Sequence, residues 1–187
     1  MTDLAHVVRA AQDGSRPAFA QLYADFARMV HGILLSRVAR DDVDDLVQDV
    51  FLIAMERLKT LRDPEAFGGW LATLARHHAV DHLRRHARAE QPMDDLAIAR
   101  LEGHARTGAV IGPAIRNVAV DTRAEAVRVL SVIRALPEAY REPLVLRLVE
   151  GMTGPEIAAR TGLTPASVRV NLHRGMKLLR ERLGVSV

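Results

Sequence analysis

With 49% apolar and 26% charged residues among its 187, the chain can bury one core or two small ones and stay in solution, which excludes disorder throughout. The absence of cysteine excludes a disulfide framework and any thiolate-bound zinc or iron–sulfur centre. The net charge of +3 is modest, but every basic residue except Lys59 and Lys177 is an arginine, whose planar forked donors suit phosphates and base edges. The first residues lack the basic and apolar regions of a signal peptide, and no apolar run approaches the roughly 18 residues of a membrane span. A cytoplasmic protein without membrane insertion is therefore expected.

The apolar periodicity is helical almost everywhere, and no alternating strand pattern stands out. A first helix is predicted from about Asp3 to Gln12, stopped by Asp13-Gly14-Ser15. Pro17 opens a longer one with Phe19, Leu22, Tyr23, Phe26, Val30 and Leu34 on one stripe. A third spans about Asp41 to Leu58 and ends before Asp63-Pro64. The fourth runs from Glu65 or Ala66 to about Arg88, with Phe67, Trp70, Leu71, Leu74, Ala75 and Leu83 on its apolar side. The phase of Trp70 with Phe67 and Leu71 makes core packing its expected role rather than stacking on a base. These four helices form the expected N-terminal domain, residues 1–90.

Between residues 91 and 122 glycines and prolines interrupt the pattern, and a linker is expected. It carries two apolar clusters, Ala109-Val110-Ile111 and Val118-Ala119-Val120. Helices resume at about Arg123 to Leu136, Glu138 to Glu150, Gly154 to Thr161 and Pro165 to Leu183, giving a second domain at 123–187. The fold class is all-α: two small helical domains joined by a linker.

Charge is unevenly distributed. Residues 41–50 hold five aspartates and no base, whereas residues 77–88 hold three arginines and four histidines against Asp81 alone. An acidic and a basic patch on one small protein point to two different partners.

Residues 153–183 carry the most specific pattern. Thr153 and Glu156 have capping-box spacing, Gly162 stands where a left-handed residue ends a helix, and Thr164-Pro165 starts the next. A short helix, a glycine turn and a longer helix make a helix-turn-helix, whose second helix reads the major groove with its N-terminal residues. Its outward side is expected to begin with Ala166, Ser167, Arg169 and Val170, followed by Asn171, His173, Arg174 and Lys177, the N-terminal ones reaching base edges and Arg174, Lys177 and Arg180 meeting phosphates.

The stretches LPEAYREPLVLRLVEGMTGPEIAARTGLT (136–164) and SVRVNLHRGMKLLR (167–180) resemble the fourth domain of extracytoplasmic-function sigma factors of bacterial RNA polymerase. Independently, DDLVQDVFL (44–52) and FGGWLATLARHHAVDHLRR (67–85) resemble the second domain of that family, so the resemblance covers roughly residues 17–90 and 123–184. It implies a chain that brings core RNA polymerase to specific promoter DNA and is regulated by an anti-sigma factor. The resemblance gives Asp44, Asp45, Gln48 and Asp49 to the polymerase. It gives the loop from Leu61 to Gly69 to capture of a flipped base, with Leu61, Phe67, His77 and Asp81 near the −10 bases and Arg76, Arg84, Arg85 and Arg88 along the backbone. His77 stands in place of the family's usual asparagine, Leu61 in place of a frequent aromatic, and Val170-Asn171 in place of a frequent Ser-Arg; these departures bear on which promoter is read.

Three rival readings differ in class. His78, His82 and His86 recur every four residues and share a helix side, a metal-binding spacing, but the only neighbouring acid in sequence is Asp81, on another face. No metal, no cofactor and no small-molecule substrate is therefore expected. Phosphate-binding loops, zinc-protease motifs and nucleophile elbows are lacking, so no catalytic residue is expected. The alternative function is a two-domain helix-turn-helix regulator that is not a sigma subunit; it would need a sensor domain where residues 1–90 read as helix only.

Overall fold

The computed structural model describes residues 3–89 and 119–184, and every regular element within them is helical. Eight α-helices are formed: α1 Leu4–Gln12, α2 Arg16–Leu35, α3 Val43–Arg57, α4 Phe67–Ala89, α5 Ala119–Arg134, α6 Glu138–Leu148, α7 Gly154–Thr161 and α8 Pro165–Leu183. Helix α5 is already formed at Ala119, the first residue described after Ala89 and four residues before the expected Arg123. The linker expected at 91–122 otherwise lies outside the described residues. None of the described helices is long and apolar enough to cross a membrane.

The helix starts follow from side-chain caps. Asp3 accepts a hydrogen bond from the Ala5 amide at 3.2 Å, and Ser15 from that of Ala18 at 3.3 Å. Between α3 and α4 the chain makes two 3-10 turns, Leu58–Thr60 and Pro64–Ala66, the second capped by Asp63. The amide of Gln12 ties this connection to α1 by donating to the carbonyls of Leu58 (3.0 Å) and Leu61 (2.8 Å).

Helices α1–α4 close on a core of Val8, Leu22, Met29, Ile33, Val50, Phe67 and Leu71, all fully buried. Phe26 and Phe67 pack edge to face at 5.0 Å, and half-buried Trp70 lies against Phe67 at the edge of this core. Tyr23 and Leu83, expected on apolar stripes, are 41% and 46% exposed. The ring of Tyr23 covers Phe51 at 4.5 Å from the bundle's rim. Leu83 lies in the last turns of α4, where no described residue after Ala79 is buried. Helices α5–α8 bury Ile133, Leu136, Leu144, Leu146, Ile157 and Val168. Gly175 of α8 lets α6 come close, since a β-carbon there would lie 3.0 Å from Leu144 Cδ1.

The two groups of helices pack on one another, α4 against α7 and α2 against α6. Glycines make this possible. A β-carbon on Gly32 would lie 2.7 Å from Leu146 Cδ2, and one on Gly68 would lie 2.6 Å from the Arg160 carbonyl oxygen.

Candidate nucleic-acid interface

Helix α3 turns Val43, Leu46, Val47 and Val50 inward, and its 3.6-residue period therefore leaves Asp44, Asp45, Gln48 and Asp49 on the exposed side. The same outer surface continues into Leu52 and Met55, 55% and 54% exposed. Sequence reasoning passed over these two. The signal was present, because they fall off the buried stripe, and large apolar side chains held in water mark a contact surface.

Helices α3 and α4 enclose an open groove of ≈ 510 Å³ whose walls include Arg57, His77, His78, Asp81 and Arg84. It brings together three of the residues expected near −10 DNA; Arg85 and Arg88 stand exposed further along α4. Leu61 and Phe67 are placed differently. Both side chains lie in the core and support the loop from beneath. Arg76 is placed differently again: its Nε and Nη2 donate to the two carboxylate oxygens of Glu142 at 3.0 and 2.7 Å, and Nη2 also reaches the Thr161 carbonyl.

The helix-turn-helix of α7 and α8 is built from its caps. Thr153 and Glu156 form a capping box in which the carboxylate accepts from the Thr153 amide at 2.7 Å and the hydroxyl from the Glu156 amide at 3.4 Å. That backbone hydrogen bond, with the Thr153 hydroxyl, holds the Glu156 carboxyl below its ordinary pKa. Gly162 ends α7 at φ +75°, a conformation that costs a side-chain-bearing residue strain. Thr164 caps α8 by accepting from the Ser167 amide at 3.1 Å, and its hydroxyl donates to that of Ser167. Arg169, Val170, His173, Arg174 and Lys177 are exposed on α8. Asn171, expected among them, is half-buried and lines a cavity of ≈ 380 Å³ shared with Arg37, Arg76 and Glu142. The helical period turns it about 100° from Val170, toward the first helical group.

The contact between the two groups is rich in charge. Besides Arg76, Glu142 accepts from Arg37 at 3.3 Å, and its side chain is only 6% exposed. Arg160 donates to the Asp25 carbonyl and lies over the Phe26 ring, 5.4 Å from its centre. Glu150, which follows α6, contacts Arg28 and stands 2.7 Å from His31 Nδ1. The hydrogen bond to Glu150 raises the His31 pKa above its ordinary 6.5, assisted by the charges of Glu150 and Asp44 and opposed by burial and Arg40. A raised folded-state pKa means that the protonated ring favours the docked form. This contribution is whole below pH 6.5 and fades as pH rises through the raised value. The thermal midpoint is expected to fall across that interval, and His31→Gln is expected to flatten this part of the profile.

Comparison with known proteins gives two family matches in chain order. Residues 22–89 match Sigma-70 region 2, and residues 126–179 match Sigma-70, region 4. The chain is similar to RNA polymerase sigma factor CarQ of Myxococcus xanthus, with 33% identity over 92% of this chain and 93% of that protein. It is 32% identical to RNA polymerase sigma factor CnrH of Cupriavidus metallidurans over 88% of this chain and 85% of the relative. Among solved structures, CnrH in complex with the cytosolic domain of CnrY superposes with a TM-score of 0.63 at 25% identity, covering 98% of this chain and 99% of that one. The sigma factor RpoE in complex with the anti-sigma factor NepR from Bartonella quintana shares the fold, with a TM-score of 0.57 at 20% identity over 90% of this chain and 98% of that one.

Proposed function

The chain belongs to the extracytoplasmic-function group of sigma-70 factors, and on that premise we propose how its surfaces direct core RNA polymerase to specific promoters. One observation carries the reading: an exposed acidic face on α3 and an arginine-bearing face on α8 stand on separate helical domains, in the order of regions 2 and 4. The proposed boundaries are 1–90 for the first domain, 91–122 for the linker and 123–187 for the second.

In this reading Asp44, Asp45, Gln48 and Asp49 meet a basic surface of the polymerase, with Leu52 and Met55 supplying apolar contact beside them. His77, Asp81 and Arg84 around the α3–α4 groove face the bases of the −10 element, and Arg85 and Arg88 track its backbone. Leu61 and Phe67 position that groove from the core. On α8, Arg169 and Val170 read −35 base edges while His173, Arg174 and Lys177 lie along the phosphates. Ser167 contributes through the helix cap. The chain itself performs no catalysis, acts in the cytoplasm, and is held inactive by an anti-sigma factor, the kind of partner named in the RpoE–NepR structure.

Promoter binding requires the docked domains to separate. Elements about 25 base pairs apart at about 3.4 Å per pair lie about 85 Å apart along the duplex. A compact chain of this length has a radius of gyration of only about 16 Å. Residues 90–118, at about 3.3 Å each, reach almost 100 Å when extended and are long enough to join the separated domains. Separation also releases Arg76 from Glu142 and Asn171 from the cavity between the domains, making both available to DNA.

Transcription in vitro with core polymerase tests the function: initiation at discrete promoters is expected, and random or absent initiation would overturn the reading. Charge reversal at Asp45 and Asp49 (D45K/D49K) is expected to weaken core polymerase binding about tenfold or more, since like charges meeting across an interface cost several kcal/mol. Unaltered affinity in a pull-down titration would remove the acidic face from the polymerase contact. Arg174→Ala is expected to weaken promoter binding uniformly and lower its salt dependence by about one counterion. Arg169→Ala is expected to relax discrimination at one or two −35 positions by about 1–3 kcal/mol, read by competition among promoter variants.

A further inference from the structure

We propose that Asp42, His82 and His86 form a binding site for one divalent transition-metal ion of the zinc type, joining the start of α3 to the last turns of α4. His82 and His86 are one turn apart on α4, the spacing that lets two imidazoles of a helix share a metal, and their ring centres are 4.3 Å apart. Asp42 reaches the pair from another element, ending the 3-10 turn Arg40–Asp42 with Oδ2 3.2 Å from His82 Nε2. One ligand atom from each residue lies within 4.8 Å of the other two.

The behaviour of Asp42 points the same way. It is itself helical (φ −88°, ψ −12°), where the 3-10 turn runs on into α3, so its carboxylate makes no cap bond and faces the histidines. A simple ion pair explains His82 with Asp42, as it explains the neighbouring His78 with Asp49 at 3.3 Å. The helical period then sets His86 one turn on, its ring against that of His82, so a second imidazole stands beside the same carboxylate. Zinc bonds of about 2.0–2.2 Å place tetrahedral ligand atoms roughly 3.4 Å apart, so ligand atoms within 4.8 Å of one another need to close by up to about 1.4 Å. Exposed His86 and half-buried Asp42 can do this by side-chain rotation. Two nitrogens and one oxygen leave a fourth position for water, a donor set that suits zinc, nickel, cobalt or copper and not magnesium or calcium.

The ion would act on the last turns of α4, where no described residue beyond Ala79 is buried and the His82–Asp42 pair ties the helix to the start of α3. Those turns carry Arg84, Arg85 and Arg88, and Asp42 adjoins the acidic face of α3. A bound ion therefore sets the angle between the proposed −10 and polymerase surfaces. That consequence rests on the function proposed above; the binding does not.

The test uses the full chain, free of any affinity tag and stripped of metal, titrated with zinc by calorimetry and with cobalt by visible absorption. One equivalent is expected to bind with a dissociation constant of about 1 μM or below. Asp42→Asn and His86→Gln are each expected to weaken binding at least about tenfold, and His78→Gln to leave it unchanged. His86 is exposed, so its variant folds whatever the role of the site. Binding no tighter than about 100 μM, or tight binding retained in both ligand variants, overturns the site. Transcription with and without zinc, on the wild type and on His86→Gln, then separates the parts. A zinc effect confined to the wild type supports the consequence and an equal response overturns it, whereas failure of both proteins to initiate counts against the sigma reading and leaves metal binding to be judged by titration.

Discussion

Gly68→Ala is expected to part the two domains while leaving each of them folded. The new β-carbon would lie 2.6 Å from the backbone carbonyl oxygen of Arg160, a contact that no side-chain rotation relieves. Forcing an extra carbon into such a site costs about 1–3 kcal/mol. The first domain pays little of this, because its own nearest atom, Phe26 Cε1, is 3.1 Å away and the helix gains up to about 1 kcal/mol on replacing glycine by alanine. The two effects have opposite signs and fall on different links: packing between domains weakens while the local helix strengthens. Small-angle scattering should show a larger radius of gyration with unchanged helical content. A scattering curve identical to that of the wild type would mean that α7 shifts aside without undocking.

Glu142→Ala is expected to produce the larger loss. Its carboxylate is 6% exposed and is shared by Arg76 and Arg37, whose side chains are 25% and 17% exposed. Removing it leaves Arg37 with Glu138 at 2.5 Å but Arg76 with only the Thr161 carbonyl, and breaking a buried pair in this way costs about 3–5 kcal/mol when the orphaned charge stays buried. Here the cost is bounded, because separation of the domains returns both arginines to water. The expected outcome is undocking instead of unfolding: a rise in the radius of gyration and faster amide exchange in α6 and α7, with the first core still protected. Arg76→Ala added to Glu142→Ala should recover part of the loss, since it removes the orphaned charge. If the single variant is as tightly docked as the wild type, Leu146 against Gly32 and Arg160 against Phe26 hold the domains without the ion pair.

The helices and their ends were legible because their causes are local. Thr153 with Glu156, Gly162, and Thr164 with Pro165 each act within about one turn of the chain, and all produce the caps their spacing predicts. The outer face of α3 was legible for a related reason, as the buried stripe fixes by elimination what faces water, and Leu52 and Met55 could have been found the same way. Leu61 and Phe67, given to DNA by resemblance, lie in the core because position in a loop or at a helix start says nothing about which side a neighbouring element will cover.

By itself, the sequence determined an all-helical chain with two sigma regions in order, an acidic face for one partner and a basic recognition helix for another. The helices and charged faces depend on periodicity, capping and composition, which act over a few residues, and the two sigma regions on the motif resemblance. Only the tertiary structure decided which charges meet. Arg76 finds Glu142 across 66 residues, and His82 finds Asp42 across 40. The sequence offered the histidines only Asp81, on the wrong face of their own helix. Contacts of this kind are set by how helices cross and how closely glycines let them approach, and neither is written in the spacing along one strand of chain.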